Sequence, residues 1–214
     1  MFISFEGIEG CGKTTQVKRL FARLQLHRIP AIITMEPGGT RVGQHLRGIL
    51  LDSENVDITP LAELLLYSAD RAQHVETIIL PALNQKKWVI CDRFIDAMMA
   101  YQGFARGQDK EFIKILNDKA CCGIRPDITF LIDCPVETGL KRANARDECH
   151  DGLYKQDRFE RERIEFHQAV RNGYLFLASK DPQRFKVIDG KPEEDNIEEM
   201  IFEHLGSITR SGRT

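Results

Sequence analysis

Phe2-Ile3-Ser4-Phe5-Glu6-Gly7-Ile8-Glu9-Gly10-Cys11-Gly12-Lys13-Thr14-Thr15 decides the fold of this 214-residue chain. Phe2–Phe5 is an apolar run that reads as a strand, and a stretch of helical period runs from about Lys13 to Leu26. Between them, Gly7 to Thr14 fits G-x-x-x-x-G-K-[ST] residue for residue. Glycines let the backbone wrap closely, so that successive N–H groups converge on phosphate oxygens. The helix N-terminus adds its partial positive charge at the same place. Gly7, Ile8, Glu9, Gly10, Cys11, Gly12, Lys13, Thr14 and Thr15 are therefore expected to cradle a nucleotide. Within that cradle Lys13 reaches the outer phosphates and the Thr14 hydroxyl ligates Mg²⁺.

Outward from this loop, short apolar runs alternate with longer helical segments, the pattern of a parallel sheet. Strands are expected at Phe2–Phe5, Ala31–Thr34, Trp88–Cys91, Ile128–Ile132 and Phe185–Ile188. Trp88–Cys91 and Ile128–Ile132 are nearly all apolar, as in a sheet covered on both faces. A helix is expected from Thr59-Pro60 toward Pro81, with others over Lys110–Cys121, Val136–Arg146, Arg158–Ala178 and Glu193–Leu205. The expected architecture is α/β, a P-loop NTPase fold in one domain over residues 1–214, with a five-stranded parallel sheet flanked by helices on both faces. The polar tail from Thr209 to Thr214 is expected to fray.

Composition sets limits. The chain is 42% hydrophobic and 29% charged, which is globular and not disordered. Thirty basic against 32 acidic side chains give a net charge of −2, which excludes a global basic field for nucleic acid or a membrane surface. No apolar run approaches the ~20 residues that span a bilayer. The first residues lack a basic start and a long apolar stretch, so the expectation is a cytoplasmic chain. Cys11, Cys91, Cys121, Cys122, Cys134 and Cys149 include no C-x-x-C pair and read as reduced, non-catalytic thiols.

Asp92 and Arg93 follow the third strand, and ligands of open parallel sheets sit beyond the carboxyl ends of strands. An acid there holds Mg²⁺ directly or through water, and an arginine beside it grips a phosphate. With no N-K-x-D guanine signature in a chain this short, the motifs point to a small phosphotransferase.

Taken together the chain resembles the thymidylate kinase family, ATP:dTMP phosphotransferases. The matching stretches are Phe5 to Thr15, Glu36-Pro37-Gly38-Gly39-Thr40, Ala69-Asp70-Arg71-Ala72-Gln73-His74, Asp92-Arg93-Phe94, Ala100-Tyr101-Gln102-Gly103, Arg125-Pro126-Asp127 and Asp157-Arg158-Phe159-Glu160. The resemblance implies that Glu9 contacts the 3′-hydroxyl side of dTMP, that Tyr67 stacks on thymine and that Arg71, one helical turn on, bonds the base edge. It implies that Tyr101 crowds the sugar 2′ position, with Gln102 and Glu36 in the same pocket and Arg47 and Arg93 near the acceptor phosphate. Pro37 falls where the family often has a cis peptide. Three positions depart from the family pattern. Met35 replaces an arginine, Tyr67 a commoner phenylalanine, and Met98 a polar residue that usually reaches thymine N3.

The charged run Asp147–Asp157 is then expected to be a mobile lid. Gly10 stands where one subclass of the family carries arginine, and in the complementary subclass lid arginines supply that charge. Arg142 and Arg146, four apart on one helical face, and Arg158 beyond the run are the candidates. The implied reaction moves the γ-phosphoryl of Mg·ATP onto dTMP, giving dTDP and ADP, in a homodimer that binds no nucleic acid. Its rivals are a kinase for another acceptor (dUMP, dCMP or deoxythymidine) and a regulatory module that binds nucleotide without transfer.

Overall fold

The computed structural model of the chain describes residues 1–148 and 158–210, without the side chains of 146–148 and 207–210. Five strands, β1 (Phe2–Glu6), β2 (Ala31–Met35), β3 (Trp88–Asp92), β4 (Ile128–Asp133) and β5 (Phe185–Asp189), form one sheet in the order β2-β3-β1-β4-β5. Every pairing is parallel. Each expected strand is present and runs one residue further at its carboxyl end.

Helices cover both faces because the strands alternate apolar side chains between them. Ile3 and Phe5 of β1 pack with Ile90 and Phe130 under Val17, Leu20 and Leu24 of α1 (Lys13–Leu26) and Ile197, Ile201 and Leu205 of α9 (Glu194–Arg210). Phe2 joins Val89 and Cys91 in a second cluster with Val75, Ile79 and Ala82. Arg19 clamps α1 to α9 through Glu194, Asp195 and Glu198. β1 leads leftward to β2 and β3 rightward to β4, so the switch in strand direction falls between β1 and β3. There the phosphate loop and Asp92-Arg93 leave the sheet side by side.

The helices hold the corrections. α2 (Arg41–Leu51), capped by the Thr40 hydroxyl on Gly43 N at 2.9 Å, was not anticipated. Gly43 and Gly48 masked its period, yet Gly43 is required, since a Cβ there would collide with Asp70 of α3 (Pro60–His74). The segment toward Pro81 is not one α-helix. α3 passes into a π-helical turn, Val75–Ile79, with Leu80 N bonding Val75 O, and then into α4 (Leu80–Asn84). A widened turn relieves the clash of a proline with the preceding turn, which lets Pro81 sit inside a helix. After β3 comes α5 (Ile95–Met98), running into a π-helical segment, Met99–Ala105, also unanticipated.

α6 (Lys110–Ala120) stands as expected, and α7 (Val136–Glu148) extends past Arg146 to include the first two residues of the expected lid. The rest of the lid, 149–157, lies outside the described residues. α8 (Ile164–Lys180) begins six residues later than expected, after turns that place Arg158 outside any helix. α9 reaches Arg210, so Thr209 and Arg210 are helical, while 211–214 lie outside the described residues. The five described cysteines are free thiols, and burial pushes Cys91 and Cys134 up and Cys121 up to about 12. Among the described residues no helix is long and apolar enough to cross a membrane.

Candidate active site

The phosphate loop closes over its own lysine. Lys13 Nζ donates to the carbonyls of Gly7 at 3.0 Å and Ile8 at 2.7 Å, and lies 3.6 Å from Cys11 Sγ. Thr14 Oγ1 donates to Asp92 Oδ2 at 2.5 Å. The two residues assigned to a metal by the sequence thus meet across the β1–β3 boundary.

Arg93 has φ 68°, a left-handed conformation that side chains rarely adopt. Its N–H bonds Phe5 O at 2.9 Å, and the side chain turns back over the loop. Nη1 donates to Gly7 O at 3.0 Å and Tyr174 Oη at 3.2 Å, and Nη2 to Glu9 Oε1 at 3.0 Å. Strained backbone of this kind persists only where its surroundings hold it, and here the strain aims a cation at a phosphate cradle.

Glu9 is the meeting point of three elements. Arg93 from the end of β3 and the hydroxyl of Tyr101 from the π-helical segment both bond Oε1. His167 from α8 places Nδ1 3.2 Å from Oε2. Burial works to raise the Glu9 pKa, but the His167 bond, the charges of Arg93 and Lys13 and the Tyr101 bond outweigh it. The carboxyl stays ionised, well below the usual range.

Glu6, one turn of chain earlier, behaves in the opposite way. It accepts from Phe94 N and Tyr174 Oη, each at 2.8 Å, and burial, joined by the charge of Asp96, pushes it up to about 8 from 4.5. Between those values the folded chain holds a proton that the unfolded chain releases. This contribution to stability is full below pH ~4.5 and is lost as pH rises toward about 8. Denaturant titrations across this range are expected to show wild-type stability falling more steeply than that of Glu6→Gln. Parallel curves for the two proteins would refute the assignment.

On the other side of Arg93 lies a buried charge cluster. Arg71 donates from Nε to Glu36 Oε2 at 2.8 Å, from Nη1 to Asn117 Oδ1 at 2.6 Å and Met98 Sδ at 3.1 Å, and from Nη2 to Phe94 O at 3.1 Å. His74 Nδ1 is 2.9 Å from Glu36 Oε1. Tyr67 packs against Leu64, Met98 and Ile113, beside this cluster. The Glu36-Pro37 peptide is cis, and Arg47 Nη1 donates to Pro37 O at 2.8 Å. The phosphate loop, the Thr14–Asp92 pair and Arg93 therefore meet at the carboxyl ends of β1 and β3, with the Arg71–Glu36 cluster joined to them through Phe94.

Comparison with known proteins decides the family. The family model described as thymidylate kinase matches residues 5–201. The chain belongs to the thymidylate kinase family. It is 51% identical over 215 residues to the thymidylate kinase of Citrifermentans bemidjiense, covering 99% of this chain and 95% of that one. It is 53% identical over 189 residues to that of Desulfosudis oleivorans, covering 88% of each. Among solved structures, the crystal structure of thymidylate kinase from Ehrlichia chaffeensis matches with a TM-score of 0.75 at 35% identity, over 96% of this chain and 98% of that one.

The remaining expected residues of this thymidylate kinase site divide between two places. Arg142 Nη1 donates to Gly190 O at 2.9 Å, beyond the ends of β4 and β5. Arg158 instead bonds Leu50 O at 3.2 Å and pairs with Glu63. Gln102 Nε2 bonds the other oxygen of Glu63 at 2.8 Å. The side chain of Arg146 lies outside the described residues.

Glu6, Glu63, His167 and Tyr174 went unread in the sequence. His167, Arg171 and Tyr174 share one face of α8 with buried Val170, at i, i+4, i+7 and i+3. Polar groups on an apolar helical face were the available signal.

Gly10 and Gly139 bring the phosphate loop and α7 into close contact. Gly10 has φ 66°, and a Cβ there would collide with the backbone of Gly139 in α7, so no arginine fits. In return, a Cβ at Gly139 would stand 2.5 Å from Glu9 O. Gly139→Ala is expected to raise the KM for ATP about tenfold, since overpacking costs ~1–3 kcal/mol and here it falls on the loop. Saturation kinetics that leave the KM for ATP unchanged would show that the loop yields freely.

Proposed function

We propose that the chain transfers the γ-phosphoryl group of ATP to dTMP, giving dTDP and ADP, with the loop Gly7–Thr15 holding ATP and Glu9, Glu36, Pro37, Arg47, Tyr67, Arg71, Arg93, Met98, Tyr101 and Gln102 lining the acceptor side. The carrying observation is the fastening of Glu9, inside the phosphate loop, by Arg93 and Tyr101 from the acceptor wall. Donor and acceptor sites share that residue. An oxygen of the dTMP phosphate attacks the γ-phosphorus as the bond to the β-phosphate oxygen breaks and ADP leaves. The attacking oxygen is already anionic, so positioning and charge neutralisation carry the rate. Lys13 and Arg93 screen the two phosphates, and Arg142, Arg146 and Arg158 are the lid candidates for the same task.

Thr14 and Asp92 put a hydroxyl and a carboxylate oxygen together at the cradle, hard donors that suit Mg²⁺. Mg²⁺ is commonly held by one or two carboxylates together with substrate phosphates. When bound, Mg²⁺ neutralises phosphate charge. On the acceptor side, the Met98 sulfur is the weakest of the acceptors on Arg71, so a thymine carbonyl would displace it at least cost. ADP formation measured with dTMP, dUMP, dCMP and deoxythymidine tests the reading. dTMP is expected to give the highest kcat/KM, and equal rates with dCMP would overturn it.

A cytoplasmic homodimer is part of the same reading. Exposed Val42 and Ile49 on α2, Leu61 and Leu65 on α3, and Phe112 and Ile115 on α6 support an interface of packed helices. Sedimentation is expected at twice the chain mass, and a monomer at micromolar concentration would refute it.

A further inference from the structure

His167 is fully buried in α8, and Nδ1 faces Glu9 Oε2 at 3.2 Å. An ionised carboxylate only accepts, so the imidazole proton sits on Nδ1. Nε2 is buried with no hydrogen-bond partner among the described residues. An imidazole with one nitrogen unmet is a poor way to fill a core, because burying an unmet polar atom carries a desolvation cost that a leucine would not. The return is the bond to Glu9.

A carboxylate offers about four lone-pair sites, two on each oxygen. On Glu9, Arg93 and Tyr101 occupy both sites of Oε1, and His167 occupies one of Oε2. Among the described residues this leaves the second lone pair of Oε2 as the remaining acceptor site, and the His167 bond sets where it points. We propose that His167 is a positioning residue for the acceptor nucleotide: it fixes Glu9 so that Oε2 takes the hydrogen bond of the sugar 3′-hydroxyl. This rests on the reading above that Glu9 faces the 3′-hydroxyl of dTMP. Arg93 and Tyr101 hold the other oxygen, so loss of His167 leaves Glu9 tethered at Oε1 but free to swing at Oε2.

The test compares dTMP with its 3′-deoxy analogue in the wild type, His167→Leu and His167→Asn. Wild type is expected to prefer dTMP by about tenfold or more in kcat/KM, the worth of one hydrogen bond to a charged group. His167→Leu is expected to lose most of that preference through a higher KM for dTMP, with kcat and the KM for ATP within about twofold. His167→Asn, whose Nδ2 can stand where the histidine Nδ1 stood, is expected to restore the preference to within about threefold. If the wild type does not discriminate, the Glu9 reading fails. If it does, and His167→Leu discriminates equally well or loses both substrates alike, the role of His167 is overturned while that reading stands. Should His167→Leu not fold, His167→Gln serves in its place, because its amide displaces the donor by one bond.

Discussion

Arg93→Ala is expected to lower kcat by two orders of magnitude or more. The guanidinium bonds both Gly7 O and Glu9 of the phosphate loop from the end of β3, which under the proposed reading puts it between donor and acceptor. Two anionic phosphates must approach each other there, and removal of a preorganised donor from such a site costs ~10²–10³ in kcat. The fold should survive, because the strained φ of 68° belongs to the backbone and alanine relieves none of the strand contacts around it. The KM for dTMP should also rise, since Glu9 loses one of its three partners. Lysine at this position restores charge but not the fork that reaches Gly7 and Glu9 together, and is expected to recover less than a tenth of the lost rate. Steady-state kinetics with both substrates varied distinguish these effects. Turnover near that of the wild type in the alanine variant would remove Arg93 from the mechanism.

What could be read in the sequence followed the range of the interactions. Strands β1, β3 and β4 were visible because buried central strands are nearly all apolar, β2 and β5 as short apolar-rich runs between turn signals, and the phosphate loop because glycine conformation and helix dipole act locally. Asp92 and Thr14 could be paired in advance from the rule that sites lie beyond strand ends, and they do bond. α2 and the helix after β3 were hidden because Gly43 and Gly103 interrupt their helical period, at places where Asp70 and where Met99 and Ile113 come close. Glu6, Glu63 and His167 carry no local pattern at all. Each gains its meaning from a partner more than 35 residues away, such as Phe94, Gln102 or Glu9.

Glu36→Ala is expected to destabilise the fold by ~3–5 kcal/mol, the cost of leaving a buried charge without its partner. Glu36 is 4% exposed, and its two oxygens hold Arg71 and His74, which are 2% and 0% exposed. With the carboxylate gone, the hydrogen-bond acceptors left to the Arg71 guanidinium among the described residues are neutral, Asn117, Phe94 O and the Met98 sulfur, and the Asp70 carboxyl acts on it only through its charge. At roughly 2–4 °C per kcal/mol for a chain of this size, the midpoint of thermal unfolding should drop by about 6–20 °C. The cause is separable from the cavity that alanine creates. Adding Arg71→Met to Glu36→Ala removes the stranded cation while keeping an apolar side chain of similar length, so the double variant should be more stable than Glu36→Ala by ~1–3 kcal/mol. Under the proposed reading of Arg71 as the donor to the base edge, it should at the same time lose selectivity for dTMP. A double variant no more stable than Glu36→Ala would mean that the charge is met elsewhere and that the loss comes from packing alone.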